Sequence, residues 1–218
     1  MGAPYLVTGV TDPELPLHLG WDLLHASPPQ VRALPVRCTA VVLPYSRNPE
    51  REVYLERCQE DGVPVVRRPS GGGAVVLAPG IVTLSALLPL DRARSAERLF
   101  ARCCALVVEA LASCGVQGLE VAGVSDVCLG DRKVAGTSLR LAKNSALFQA
   151  SVLVDCDTDL FERYLPYPSR APDYRRGRPH REFVTTLRQA GYRLGCERLA
   201  AALEASFRRG LASGGATR

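Results

Sequence analysis

Apolar residues recur along this chain at two periods, three to four residues in some stretches and two in others, and the alternation between them outlines the fold. The clearest helical pattern runs over 95–114, where Ala96, Leu99, Phe100, Cys103, Val107, Leu111 and Cys114 step by three and four. That spacing predicts a long helix with one face on the core, stopped by Gly115. Shorter helices are expected over 17–26, ending at Ser27-Pro28-Pro29, and over 48–59, where Asn48 can cap, Pro49 opens the first turn and Glu50 gives an acidic start. A brief helix over 160–165 is cut at Pro166, and two more close the chain at about 180–191 and 195–207. The first fifteen residues, punctuated by Pro and Gly, are expected as coil, and the small-residue ending over 211–218 as a disordered tail.

Extended runs fall at 38–43, on both sides of Pro69-Ser70-Gly71-Gly72-Gly73, at 81–88 after the Pro79-Gly80 turn, and at 119–121, 126–129, 133–141 and 146–154. In the last of these Ala146, Phe148, Ala150, Val152 and Val154 share one face, which marks a strand with a well-covered side. Gly130-Asp131 is a tight turn suited to a hairpin. The stretch 166–179, with four prolines and a run of arginines, reads as an exposed loop. Strands dominate the middle and helices enter without a regular βαβ beat, so the class is α+β, a mixed sheet flanked by helices.

At 218 residues and 47% hydrophobic content the chain is long enough to bury one full core, and a single domain over 1–210 is expected. The net charge of +5 comes far more from arginine than from lysine, with a local cluster over 170–181, which suits an acidic partner or an anionic substrate. No aromatic-rich basic stripe accompanies it, which argues against nucleic acid. The eight cysteines show no C-x-x-C pair and no Cys/His ligand spacing, and most sit inside apolar patterns, as buried thiols do. With no signal-like N-terminus and no apolar run of membrane-spanning length, a soluble, reduced, cytoplasmic protein is the expectation.

Two stretches carry chemistry. In Arg67-Arg68-Pro69-Ser70-Gly71-Gly72-Gly73-Ala74-Val75 the glycines strip every Cβ from one piece of backbone, so a ligand can lie against peptide N–H groups, and two guanidiniums stand beside them. Taken alone this is a flexible hairpin with a solvated basic edge. It leads into no helix and lacks a Lys-Ser/Thr pair, which argues against a dinucleotide fingerprint and a P-loop. The second stretch runs from Ser125 and Asp126 to Arg140. Lys133 alone is most simply a solvated lysine, but Gly136 three residues on implies a close backbone approach, as a lysine turned into a cleft requires, and Thr137, Ser138 and Arg140 add donors.

Together the two stretches resemble the lipoate–protein ligase family. The first is similar to its Arg-Arg-x-Ser/Thr-Gly-Gly-Gly-Ala-Val signature, and Gly130 to Ser138 resembles its Gly-x-Lys-x-x-Gly-Ser-Ala segment with the essential lysine. The likeness runs from about Trp21 to about Leu187. It implies the biotin/lipoate protein ligase-like catalytic fold and a reaction in which lipoate or octanoate is activated with ATP and Mg²⁺ as an acyl-adenylate, then passed to a lysine of a lipoyl carrier domain or a glycine-cleavage H-like protein. By the same resemblance Lys133 is the catalytic residue. Arg67, Arg68, Ser70, Gly71, Gly72, Gly73, Ala74, Val75, Gly136, Thr137, Ser138 and Arg140 would bind acyl chain and adenylate, and Asp126 would ligate the metal. Arg68 is expected beside the acyl head, with Val75 and Val76 along the chain.

The chain departs from the family pattern where His-Asp-x-Gly-Asn should follow the glycines and Leu77-Ala78-Pro79-Gly80-Ile81 stands instead, and where His-Gly-Thr is replaced by Gln149-Ala150-Ser151. It is also expected to lack the C-terminal accessory domain of many such ligases, which makes a separate small subunit a candidate partner. Two other readings remain open: an octanoyltransferase that takes its acyl group from a carrier through a cysteine, without ATP, and a non-catalytic homologue that binds an acyl group or a partner.

Overall fold

The extended runs are divided between two sheets. The computed structural model describes residues 6–9, 13–90 and 95–213, and the part of the expected tail beyond 213 lies outside them. In chain order the first elements are β1 (Leu6–Thr8), α1 (Leu15–Leu19), β2 (Gln30–Pro35), β3 (Ala40–Pro44), α2 (Pro49–Glu52) and α3 (Leu55–Glu60). Then come β4 (Val65–Arg68), β5 (Val75–Leu77), β6 (Ile81–Pro89) and α4 (Ala96–Ser113). The second half holds β7 (Leu119–Ala122), β8 (Asp126–Leu129), β9 (Arg132–Leu141), β10 (Ser145–Leu153), α5 (Asp159–Tyr164), α6 (His180–Phe183) and α7 (Cys196–Ser213). The smaller sheet has the order β1-β4-β3-β5 and is mixed, with β3 and β4 parallel; the larger, β2-β6-β10-β9-β8-β7, is antiparallel throughout.

The α+β class holds, and the strongest patterns became the strongest elements. Ser95 caps α4 by accepting a bond from the Arg98 N–H, and Asn48 does the same for Glu50. On β10 the expected face, Phe148, Ala150 and Val152, packs beneath α4 and α7 in one core. There Phe148 stacks on Phe207 at 5.6 Å and meets Phe100 edge-on at 5.9 Å. A second core lies between the small sheet and α1, α3 and α5, around Val41, Val65, Val66 and Phe161. Alternation leaves Gln149 and Ser151 on the opposite face of β10, where they border a cleft between the two sheets.

Several expected boundaries move. Leu6–Thr8 pairs with β4 instead of forming coil, and Gln30–Pro35 is a strand the pattern does not announce. The expected helix over 48–59 breaks at Val53, which is extended, and the one over 17–26 stops at Gly20 in the left-handed region, followed by a single 3₁₀ turn. After Phe183 the expected helix gives way to extended chain, because its N–H groups are taken by the sheet: Thr185 donates to the Lys133 carbonyl and Leu187 to that of Leu153. The last helix continues to Ser213, three residues into the stretch expected as disordered. Among the described residues no helix is long and apolar enough to cross a membrane.

Because Phe148 is fully buried between two other rings, Phe148→Ala is expected to cost about 3–5 kcal/mol of stability by urea denaturation. A loss below about 1 kcal/mol would show that the core is not centred on this cluster.

Candidate active site

The glycine-rich segment is a crossing and not a hairpin. β4 and β5 do not pair with each other; they flank β3 on opposite sides, so Pro69 to Ala74 passes over the end of β3. Arg68 fixes that crossing from below. Its side chain is buried, Nε donates to Ser70 Oγ at 3.1 Å, Nη1 to the Val42 carbonyl at 3.3 Å, and Nη2 to the carbonyls of Gly71 at 2.6 Å and Gly73 at 2.8 Å. Burial lowers its pKa to about 10, so it stays charged at neutral pH. A trans peptide sets N–H opposite C=O, and the N–H groups of Gly72 and Ala74 therefore point away from the guanidinium and are open to a ligand. Gly72 has φ +100° and a Cβ there would stand 3.1 Å from Arg68 Nη2, so both backbone and space call for glycine.

Arg68, expected beside an acyl head group, borders the cleft, and its nitrogens are engaged in holding the loop. Arg67 is likewise structural, its Nη1 serving the carbonyls of Pro44, Tyr45 and Arg47 between 2.9 and 3.1 Å. Gly72, Gly73, Ala74 and Val75 line the cleft, whereas Arg67, Ser70 and Gly71 stand behind it.

The two sequence stretches meet through hydrogen bonds. Ser70 Oγ lies 2.8 Å from Ser138 Oγ and donates to Gln149 Oε1 at 2.5 Å, while Arg140 Nη1 donates to the Pro69 carbonyl at 2.9 Å. Arg140 joins the stretches without lining the cleft; Gly136, Thr137 and Ser138 do line it. Lys133 leans back over Gly136, where a Cβ would lie 2.9 Å from its Nζ, which is the close approach the sequence implies. Its ammonium pairs with Asp126 Oδ1 at 2.7 Å. The cleft enclosed by these elements has a volume of about 530 Å³, with Val42, Val75, Val76 and Leu84 among its apolar walls.

A feature the sequence hides is the segment 166–179, which is not a free loop but a strap across the cleft. At one end Ser169 donates to Glu52 at 2.6 Å, beside Arg47. At the other Tyr174 donates to Asp126 at 2.6 Å and Arg178 pairs with Asp131 at 2.7 Å. Arg175 lies buried between the rings of Tyr167 and Phe183, and its Nη2 finds no partner among protein atoms. Next to it His180 borders the cleft; burial above all, then the Arg175 charge, lowers its pKa to about 4 and keeps the imidazole neutral. Only the cluster of basic residues hinted at this; nothing in the spacing located it.

The residues do not build a metal site. Among those described no three His, Cys, Asp or Glu side chains converge, and both Asp126 oxygens already serve Lys133 and Tyr174. The positions where polar groups were expected after the glycines are core: Leu77, Ala78 and Ile81 are all buried. An anionic ligand does fit, since the backbone donors, Lys133 and the orphaned Arg175 nitrogen all favour negative charge. No cysteine lines the cleft; burial pushes the Cys104 and Cys128 thiols up, and the Asp126 charge adds to it.

Residues 23–208 match the family model described as the lipoyl protein ligase A/B catalytic domain. A putative lipoate–protein ligase A of Aeropyrum pernix is 31% identical over 124 residues, covering 57% of this chain and 46% of that protein. The chain thus spans less than half the length of that relative. Among solved structures, one described as a bi-partite lipoate protein ligase and its E2 lipoyl domain from Thermoplasma acidophilum matches 86% of this chain and 72% of that one, with a TM-score of 0.73 at 23% identity. A lipoate–protein ligase A bound with ATP matches 86% and 74%, with a TM-score of 0.72 at 24% identity. At these identities the likeness establishes the fold.

The neutral His180 has a measurable consequence. Its folded pKa of about 4 lies below the unfolded 6.5, so between those values the unfolded chain binds a proton that the native one does not. Stability should fall as pH drops from 6.5 to 4, by up to about 3 kcal/mol from this group, and His180→Gln should flatten that part of the curve. Equal slopes in both proteins would mean that the imidazole, with Arg175, Lys133 and Glu162 around it, is protonated in the fold.

Proposed function

Because the chain belongs to the lipoyl protein ligase A/B catalytic domain family, we propose that it activates lipoate or octanoate with ATP as an acyl-adenylate and passes the acyl group to a lysine of a lipoyl carrier domain. The observation that carries this reading is the opposition, across one cleft, of an unencumbered glycine backbone and the Lys133 ammonium. The structures cited above, of an ATP-bound ligase and of a ligase studied with its E2 lipoyl domain, support the choice of nucleotide and acceptor.

In the first step a carboxylate oxygen attacks the α-phosphorus and pyrophosphate leaves. Two anions must approach, which needs cations and oriented donors in a partly dry site. Lys133 is a compact charge that can touch both, and the N–H groups of Gly72 and Ala74 supply donors without a desolvation cost at the moment of reaction. Val75, Val76 and Leu84 would shelter the acyl chain. In the second step the acceptor amine attacks the acyl carbon and AMP leaves; Lys133 keeps its charge beside the carbonyl oxygen, an electrostatic role and not a basic one. No step is assigned to a metal.

A cysteine-dependent transferase finds no support, since no cysteine lines the cleft and burial raises the pKa of the Cys104 and Cys128 thiols. The free thiols of Cys58, Cys103, Cys104, Cys114, Cys128, Cys156 and Cys196 favour a reducing compartment, consistent with cytoplasmic placement.

Pyrophosphate release, measured with octanoate or lipoate and MgATP, with and without a lipoyl domain, should depend on the acid and lead to acylated domain. Transfer only from an acylated carrier protein would favour the transferase, and neither activity would favour a binding protein. Lys133→Ala should reduce release at least about a hundredfold while leaving the melting temperature within a few degrees; retained activity would sink the assignment.

A further inference from the structure

We propose that Asp126 and Tyr174 are positioning residues for Lys133, with the strap, through Tyr174, setting where the lysine stands; this rests on the reading of Lys133 given above.

Lys133 and Lys143 are the only lysines among 27 Lys and Arg side chains, so the residue at 133 is an exception in a chain that otherwise uses arginine. Its placement is equally exceptional. In the β8–β9 hairpin Lys133 lies opposite Cys128, and Asp126 lies opposite Gly136, so the pair is not a cross-strand neighbour pair. The lysine reaches diagonally to the carboxylate past the irregularity between Val127 and Cys128, over the gap left by the missing Cβ of Gly136. A shift of register, a glycine and a buried carboxylate all converge on one result, the position of Nζ.

The carboxylate is itself fixed. Oδ1 accepts from Lys133 at 2.7 Å and Oδ2 from the Tyr174 hydroxyl at 2.6 Å, so neither oxygen can turn without giving up a charge-assisted bond. The Asp126 side chain is 9% exposed, against 25% for that of Lys133, which puts the anchor inside and the working ammonium at the cleft. Tyr174 is seated by the Phe183 ring at 5.2 Å, by Cys128 Sγ at 3.6 Å from its hydroxyl, and by the backbone of Gly123, where a Cβ would lie 3.4 Å from the ring. Burial, reinforced by Asp126, raises its pKa and keeps the hydroxyl a donor. Tyr174 precedes Arg175 in the strap, so the turn that borders the cleft with its guanidinium also holds the lysine's anchor. Seating the strap and setting Lys133 are one event, and Asp126 is engaged in that task instead of serving a divalent cation.

With lysine side chains labelled with ¹⁵N, only two Nζ signals exist, and Lys133→Arg assigns them. Tyr174→Phe and Asp126→Asn should each move the Lys133 signal and leave that of Lys143. With octanoate and MgATP, Asp126→Asn should lower kcat about a hundredfold and Tyr174→Phe about tenfold, with the octanoate KM changed less than about threefold. The double variant should be no worse than Asp126→Asn alone, because both act on one network. The magnesium concentration for half-maximal rate should stay unchanged. An unmoved Lys133 signal in Tyr174→Phe, full additivity, or a raised magnesium requirement in Asp126→Asn would overturn the proposal. The spectra need no turnover, so a wild-type protein that releases no pyrophosphate would remove the proposed reaction while the spectra still decide the positioning. If Asp126→Asn does not fold, the Tyr174→Phe spectrum decides alone.

Discussion

A buried guanidinium holds the glycine crossing, and the cleft depends on it. A charge removed from water must be met by hydrogen bonds, and Arg68 is met by Ser70 and by the carbonyls of Val42, Gly71 and Gly73. The requirement works in both directions. Glycines without Cβ atoms have no side-chain packing to order them, so the arginine supplies the order, and the loop's curvature supplies the arginine's acceptors. Because its carbonyls turn inward, its amides turn outward, and a segment that would otherwise be floppy becomes a fixed row of donors. The Ser70 hydroxyl then carries the same order on to Ser138 and Gln149, binding the small sheet to the large one at the point where the cleft opens.

The opposite wall is built by a different device. Lys133 is not packed into place; it is suspended from Asp126 over a glycine, and Asp126 is tied to a strap anchored elsewhere by Glu52 and Asp131. One wall is thus rigid because a charge is buried within it. The other is held by a chain of bonds from Lys133 through Asp126 to Tyr174, whose ring is seated on Phe183.

Within the sequence, the helix over 95–114 and the covered face of 146–154 were plain because each repeats its period long enough to exclude the other. Gly136 was readable as a close approach because a glycine in a strand has few other uses. The acceptors of Arg67 and Arg68 were not legible, since a pair of arginines beside a glycine loop looks the same whether its partners are a ligand or the protein's own carbonyls. The stretch 180–191 has helical spacing, yet the carbonyls of Lys133, near the start of β9, and Leu153, at the end of β10, take the N–H groups of Thr185 and Leu187. The strap could not be read at all: prolines and arginines signal exposure, and the partners that hold it, Glu52, Asp126 and Asp131, come from more than forty residues away.

By itself the sequence determined the class of fold, the buried faces and the two stretches that meet at the cleft, because periodicity and glycine placement are local constraints that a chain states directly. Only the tertiary structure decided which charges face the ligand and which hold the protein together. A guanidinium or a carboxylate takes whichever partners stand within about 3 Å of it. That distance is set by how two sheets and a strap come to lie against one another, and no spacing along the chain records it.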